Sequence, residues 1–553
     1  MNDTATSEIA YAAEPVPTSK PAPAEAFRLW FVRLNAWLET HMDRVMGLVV
    51  LAGFCLRFWR ARAAYLNADE AQIMLPALRH GLVNTYKAAQ IFPYGPLMNL
   101  VLHFMTFFGS SELYFRMPSV IAGTLLIFVG YKWVAETFGK GAGMVTGCVL
   151  AFAPPMVILS AQVRHYMPHA LFVACSLYCL ERALREKSRG WMRYFGVALL
   201  LAVLTMYMSI WYIAALSVYA IVYFLLEEIP RPVIVEWIKT QAAVAFVLIV
   251  AYTTHLYKLR GDKNETHARD GWLRSSYFHP ESQSAADYLR RATDNLFGYV
   301  FANAGLGEWM ILVFLAGIGL VLWGKAGATG NRKTPALSLV LPLAVTAAAG
   351  TMRIYPYGGS RHDAFLALFL VAGVSIAISA VALGRAAVLL LVAACVIPIW
   401  LATVQRNYLD EAPRVCKIAQ MRGALKYLSS RDPRPRVLLA DQIGGSTINY
   451  YICHGEFDQW RPVGPGSNMY RCADYRVLMI NTWGAPPAAF PAALAQARHA
   501  VPDLLPDPAW VFYMSTVQTI DEKLSRDQRA VFGKIEIYRI SPQPELPPPA
   551  AAH

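Results

Sequence analysis

Long apolar runs alternate with short polar connections along this chain, and the alternation predicts its architecture. The runs occupy residues 45–59, 114–135, 141–159, 169–184, 194–209, 211–226, 238–257, 310–323, 336–350, 364–383 and 386–403. Each approaches the ~20 residues that a helix needs to cross about 30 Å of hydrocarbon, the shortest with help from flanking residues. The pattern predicts an all-α polytopic membrane domain of about eleven transmembrane helices over residues 45–403. Residues 93–108 are also apolar, but counting them as a span upsets the alternation of charge between loops, so they are expected as a helix lying in the interface.

Beyond residue 403 the pattern shortens. Residues 437–441 and 475–480 read as buried strands, 447–452 and 492–500 as helices, and 510–514 and 534–540 as two more strands. This predicts a small C-terminal α/β domain over residues 404–541. Gly444-Gly445-Ser446 follows its first strand without a full nucleotide fingerprint and reads as a turn. At the other end, the Ala-, Pro- and Thr-rich start lacks a signal-peptide pattern, and residues 1–44 are expected as a largely disordered cytoplasmic tail. Residues 542–553 are expected as a disordered tail.

Positive charge sets the orientation, because short loops rich in Lys and Arg stay cytoplasmic. Lys132 and Lys140, the run from Arg182 to Arg193, Arg231 and Lys239, Lys325, Arg332 and Lys333, and Arg385 fall in alternate connections, on the side of Arg28, Arg33 and Arg44. The N-terminus is therefore expected in the cytoplasm. Residues 61–113, the first external loop, lie on the opposite, periplasmic face with 160–168, the long loop 258–307, 351–363 and the C-terminal domain. Composition agrees: 56% of residues are hydrophobic, 16% are charged and the mean hydropathy is +0.35. Abundant Ala and Arg suit a bacterial inner (plasma) membrane. The net charge of +13 fits loops that meet anionic lipid and does not call for nucleic acid.

Five of the eight cysteines, Cys55, Cys148, Cys175, Cys179 and Cys395, sit in apolar runs as small hydrophobes. Cys416, Cys453 and Cys472 lie in the exported tail, where an oxidising compartment favours a disulfide between two of them; spacing leaves the pair open.

Candidate chemistry gathers on the external face. Carboxylates beside a bilayer are costly unless solvated or used, so Asp69 and Glu70, just past the first span, lead the catalytic candidates. The same loop carries Phe92-Pro93-Tyr94-Gly95-Pro96. A second cluster, Ser160-Ala161-Gln162-Val163-Arg164-His165-Tyr166, caps the outer end of a span, and a third runs from Arg353 through Tyr355, Tyr357, Gly358 and Gly359 to Arg361 and His362. A carboxylate pair with Arg and His at one interface suits a substrate with a phosphate head group and a lipid tail. Guanidinium forks bind phosphate, and a carboxylate accepts a proton from an attacking hydroxyl. Structural roles stand beside these: helix capping for Asp69-Glu70, snorkelling for Arg164 and Arg361, packing for His165 and His169, and an aromatic belt for Tyr94, Tyr355 and Tyr357.

With Arg116-Met117-Pro118-Ser119 at the opening of the next span, these motifs resemble the GT-C glycosyltransferases of the protein mannosyltransferase and aminoarabinose transferase type (glycosyltransferase family 39). They are particularly similar to the branch that includes bacterial lipopolysaccharide galacturonosyltransferases. The resemblance covers about residues 45–403. It implies an integral-membrane enzyme that moves a sugar, by inversion, from a polyprenyl-phosphate donor to a lipid, glycan or protein acceptor on the periplasmic face.

Residue by residue, the resemblance implies Asp69 as general base or acceptor-orienting carboxylate with Glu70 supporting it, Arg164 and Tyr166 at the donor site, and Arg361, His362 and Arg353 on the departing phosphate. Gln162 stands where relatives often carry an acid; with Tyr94 and Trp272 it is a candidate substrate contact. A divalent cation held by Asp69, Glu70 and substrate phosphate is admitted, with no other cofactor expected. The 258–307 loop is expected to fold over the donor cavity, with Trp272 or Tyr277 against sugar or lipid. Two other classes fit a polytopic chain: a transporter or lipid flippase, for which internal repeats are missing, and a catalytically inactive sensor or scaffold with a ligand-binding exported domain, which the Gln162 substitution leaves open.

Overall fold

The computed structural model describes residues 23–259, 268–302, 304–326, 333–382, 384–393, 397, 417–432, 434–455, 469–472, 474–480, 489–500, 509–514 and 527–540. Helices dominate up to residue 393. The chain opens with α1 (Pro23–Ala63), α2 (Ala68–Ala77), α3 (Leu82–Ala89) and α4 (Leu97–Met105). It continues through α5 (Glu112–Phe138), α6 (Lys140–Phe152), α7 (Pro154–Ser160), α8 (Tyr166–Arg185), α9 (Arg189–Thr205), α10 (Ser209–Leu226) and α11 (Arg231–Ala251). Then come α12 (Ala285–Val300), α13 (Gly307–Leu322), α14 (Pro335–Thr351) and α15 (Ala367–Val381).

The apolar segments up to residue 383 lie largely on these helices, and residues 385–393, the start of the last segment, are helical too. Among the described residues four helices, Glu112–Phe138, Ser209–Leu226, Arg231–Leu259 and Arg361–Val381, are long and apolar enough to cross a membrane; α6 and α7 together form a further crossing bent by 57°. The spans thus counted are fewer than the eleven or so expected; α13 and α14, for example, are apolar but short. Helix α4 has 9 residues, about 14 Å of helix, too short to cross. The largest core lies where α5, α8, α9, α10 and α15 pack, burying Trp133, Leu180, Phe195, Tyr212 and Phe369.

Residues 23–44 differ from the disordered tail expected of them. They run into the first apolar segment as one helix of 41 residues, with a break in helical geometry at His41. The stretch from Ala24 to Leu38 contains no Gly or Pro and favours a helix. It is pinned where the Asn35 side chain accepts a bond from the Ala386 amide (2.8 Å).

The bend between α6 and α7 has an identifiable cause. Pro154 and Pro155 have no amide hydrogen, so the carbonyls four residues earlier, Leu150 and Ala151, lose their helical donors. Buried Arg57 of α1 replaces both, donating from Nη2 to Leu150 O and from Nη1 to Ala151 O at 2.8 Å each, and from Nε to Ser160 Oγ at 3.1 Å. Non-helical backbone at membrane depth persists only where the protein satisfies it. Gly123 of α5 lets this assembly close: a Cβ there would sit 2.0 Å from Ser160 Oγ.

The C-terminal domain contains α16 (Ile418–Ser429), α17 (Gln442–Tyr451), α18 (Ala489–Ala500) and a six-stranded sheet. Its strands are β1 (Val437–Asp441), β2 (Met469–Cys472), β3 (Tyr475–Ile480), β4 (Ala509–Met514), β5 (Asp527–Phe532) and β6 (Ile535–Ile540), in the order β2-β3-β1-β4-β6-β5. Buried β1 runs parallel to β3 and β4, and the other pairs are antiparallel. The sequence does not predict β2, β5 or α16. Both strands are edges, where polar residues such as Arg471, Asp527, Gln528 and Arg529 erase the apolar signal. Cys453 and Cys472 form a disulfide; Cys416 lies outside the described residues. The domain rests on the first external loop: Tyr65 and Ala68 belong to its core, and Tyr450 and Tyr451 pack beside Ile73 and Met74.

Replacing Arg57 with Leu should cost about 3 kcal/mol, because two buried carbonyls lose their donors. Thermal unfolding of the protein in lipid measures it; a melting temperature equal to wild type would remove Arg57 as the cap of the bend.

Candidate active site

Helix α2 begins where the sequence places its acidic pair, and the geometry divides that pair. Asn67 caps the helix: its side chain accepts the Glu70 amide at 2.9 Å, and Glu70 Oε2 accepts the Asn67 amide at 3.1 Å. Glu70 then turns inward to Arg116 of α5, whose Nε donates to Oε1 at 2.9 Å and Nη2 to Oε2 at 2.8 Å. The Val163 amide also donates to Oε1, at 2.7 Å. Arg116 in turn donates to the carbonyls of Ala61, Ala64 and Tyr65. Both charged side chains are 1% exposed. Glu70 is therefore a positioning residue, with its oxygens spent on α2, α5 and the 161–165 turn, and is not free to act on a substrate.

Asp69, one residue earlier, faces the other way. Its Oδ2 lies 2.5 Å from Arg361 Nη1 and 3.6 Å from Arg164 Nη2, and its side chain keeps 22% exposure. Arg164 Nη1 also donates to the Asp69 carbonyl at 3.0 Å. Burial pushes the Asp69 carboxyl up, but the guanidiniums of Arg164 and Arg361 outweigh it and bring the carboxyl down to about 2. Three segments far apart in sequence thus meet at one carboxylate.

Each guanidinium is delivered by a short, internally bonded turn. Arg164 follows α7; Ser119 Oγ of α5 donates to its carbonyl at 2.9 Å, and its Nη2 donates to Tyr166 Oη at 3.1 Å. Arg361 opens a short helical segment (Arg361–Leu366) after Gly358-Gly359-Ser360, whose three amides donate to Asp363 Oδ2 at 3.1–3.3 Å. Gly359 has φ +82°, and a Cβ there would come within 2.3 Å of the Asn295 carbonyl of α12, so only glycine fits.

Aromatic rings extend from this centre. Tyr94 stacks on Phe92 and on His165 (centroids 5.3 and 4.6 Å), His165 lies 4.4 Å from Tyr166, and Tyr166 meets the edge of His362 at 5.7 Å. Burial, with Arg164 adjacent, holds His165 well below the usual imidazole value, so it is neutral. Three buried polar atoms of these side chains, Tyr94 Oη, Arg164 Nε and His165 Nδ1, have no hydrogen-bond partner among the described residues.

Of the residues named from sequence, Asp69, Arg164, Tyr166, Arg361, His362 and Tyr94 come together. Gln162 is buried, and its carbonyl accepts the Arg164 amide at 2.9 Å. Arg353 goes elsewhere: it lies 3.7 Å from Asp270. The Trp272 side chain lies outside the described residues. Sequence reasoning named Arg116 without its role; an arginine at the opening of an apolar span was the available signal. A metal donor set of Asp69 with Glu70 is not formed, because Glu70 is spent on Arg116, and no cluster of three His, Cys, Asp or Glu able to hold an ion occurs among the described residues.

Two outcomes separate the acidic neighbours. Glu70→Ala should destabilise the protein by about 3–5 kcal/mol, since it strands a buried arginine; unchanged thermal unfolding would refute the anchoring role. Asp69, with its carboxyl lowered, contributes about 2 kcal/mol above the unfolded value near 4, lost as pH falls toward 2. The stability gap between wild type and Asp69→Asn should therefore hold steady from pH 8 to 5 and close below pH 4; a gap that widens on acidification would contradict the ion pairing.

Residues 94–257 match the family described as dolichyl-phosphate-mannose-protein mannosyltransferase. That span includes Tyr94, Gln162, Arg164 and Tyr166 and leaves out Asp69 and Arg361. No curated protein matches the chain in sequence. Among solved structures, ArnT from Cupriavidus metallidurans in the apo state is similar with a TM-score of 0.53 at 14% identity, over 90% of this chain and 98% of that one. The same protein bound to undecaprenyl phosphate gives 0.50 at 14% identity, over 89% and 97%. At this identity the likeness is one of fold. This chain therefore has the fold of ArnT over most of its length, and residues 94–257 match the dolichyl-phosphate-mannose-protein mannosyltransferase family.

Proposed function

We propose that the protein is an integral-membrane glycosyltransferase that takes a sugar from a polyprenyl-phosphate donor and places it on a hydroxyl of a lipid, glycan or protein acceptor at the periplasmic face. The observation that carries this reading is the carboxylate of Asp69 held between Arg361 and Arg164. One anion acceptor of protons between two phosphate-binding cations is what transfer from a phosphodiester requires. The ArnT structure with undecaprenyl phosphate supports the lipid class of donor. The Cys453–Cys472 disulfide supports an oxidising compartment for the C-terminal domain and hence for the face that bears the site.

In this reading the donor phosphate binds Arg361 and Arg164 and competes with Asp69 for them. Released from the ion pair, Asp69 becomes a better base. It accepts the proton of the acceptor hydroxyl as that oxygen attacks the anomeric carbon from the side opposite the phosphate. The bond from that carbon to the phosphate oxygen breaks, its electron pair leaves with the lipid phosphate, and the guanidiniums offset the charge that develops. The product is inverted at the anomeric carbon. Tyr166, His362, Tyr94 and His165 form the wall beside the reacting sugar.

Asp69→Asn should abolish transfer while the protein still expresses and folds, and polyprenyl-phosphate sugar should accumulate on the purified variant in lipid mass spectrometry. Full turnover in that variant would sink Asp69 as the base. Arg361→Ala should weaken donor binding about tenfold or more and acceptor binding less; equal donor affinity would count against its phosphate role.

A further inference from the structure

Among the contacts between the C-terminal domain and the loop that carries Asp69, that of Tyr451 has a position the mechanism does not explain. Tyr451 ends α17, and its hydroxyl accepts the Leu66 amide at 2.8 Å while donating to Glu112 Oε1 at 3.2 Å. Leu66 lies between α1 and α2, is 0% exposed, and immediately precedes Asn67, the cap of the helix that carries Asp69. Glu112 opens α5 one helical turn before Arg116, the partner of Glu70. The start of α2 is thus tied to α5 twice: directly through Glu70 and Arg116, and through the exported domain by way of Tyr451. Burial and the Glu112 carboxylate keep the proton on the Tyr451 hydroxyl, so it remains a donor to Glu112.

The surroundings fit a fixed joint. Tyr450 meets Tyr451 edge-on at 4.8 Å, and both pack beside the α2 residues Ile73 and Met74. A Cβ at Gly455, which has φ +80°, would press within 2.8 Å of Leu78 at the far end of α2. Ala64 forms a backbone bridge with Lys417, where the domain begins its described fold. Removing the Tyr451 hydroxyl takes away the side-chain acceptor of a buried amide three residues from Asp69.

We propose that Tyr451 is a positioning residue for Asp69, and that the exported domain serves the membrane domain by setting the main chain at the start of α2. This rests on the reading of Asp69 as the base. An error of about 1 Å in a reacting group can cost on the order of a hundredfold in rate, so the joint acts on turnover and leaves donor capture to the arginines.

Tyr451→Phe in the full-length protein in lipid nanodiscs tests this, with the ring retained so that the domain folds. Hydrogen–deuterium exchange at residues 64–72 should rise about tenfold while β1 and β4 exchange as in wild type, and kcat should fall about tenfold with donor KM within twofold. Glu112→Gln alone, which leaves the Tyr451 hydroxyl in place with an amide oxygen to accept from it, should keep exchange at 64–72 and kcat close to wild type. Unchanged exchange at 64–72, a rise in exchange with kcat intact, or a loss confined to KM would each overturn the proposal. Exchange that rises equally throughout the sheet would also overturn it, by making Tyr451 a general packing residue. If wild type transfers no sugar from a polyprenyl-phosphate donor, the functional reading fails instead, and the exchange result alone decides whether the joint exists.

Discussion

A buried ion pair organises the end of the helical region that bears the candidate site. Glu70 and Arg116 are both almost fully removed from water, and such a pair is tolerable only when nearly every lone pair and proton is satisfied. Here the carboxylate receives two guanidinium bonds and the amides of Asn67 and Val163, while the guanidinium reaches three carbonyls at the end of α1 and the chain after it. Four segments of chain are fixed by one charge pair: the α1 terminus, the α2 cap, α5 and the turn that carries Arg164. Remove it and the reason for Asp69 to stand where it does disappears.

The neighbouring carboxylate shows the complementary principle. Asp69 is held by cations from two distant turns, yet it keeps access to solvent, and a phosphate can replace its links to those cations. A fully satisfied buried charge gives rigidity; a partly exposed charge with exchangeable partners gives chemistry. The two differ by one residue, and the helix start at Asn67 points them in different directions.

The same demand for satisfied polar groups shapes the membrane region. Arg57 replaces the hydrogen bonds that Pro154 and Pro155 forfeit, and this lets α7 turn away from α6 and carry the Arg164 turn to the site. Asp363 does equivalent work at the Gly358-Gly359 turn that presents Arg361. In both places an irregular stretch beside the active centre is stabilised by one side chain that takes over the backbone's unmet bonds.

Much of this was legible in the order of residues. Runs of apolar side chains determined the helices because hydrocarbon accepts no unpaired backbone, and the central strands β1, β3 and β4 were visible because they are buried and nearly uniformly apolar. The three external clusters were recognisable because charge beside a bilayer is expensive. The edges β2 and β5 were not, since solvent allows them polar residues. Nor could sequence separate Asp69 from Glu70, pair Cys453 with Cys472, send Arg353 toward Asp270 or give Arg57 and Tyr451 their partners. Those outcomes depend on which segments pack together in space, and adjacent residues with the same charge look alike until a fold gives one of them a buried arginine and leaves the other for a ligand.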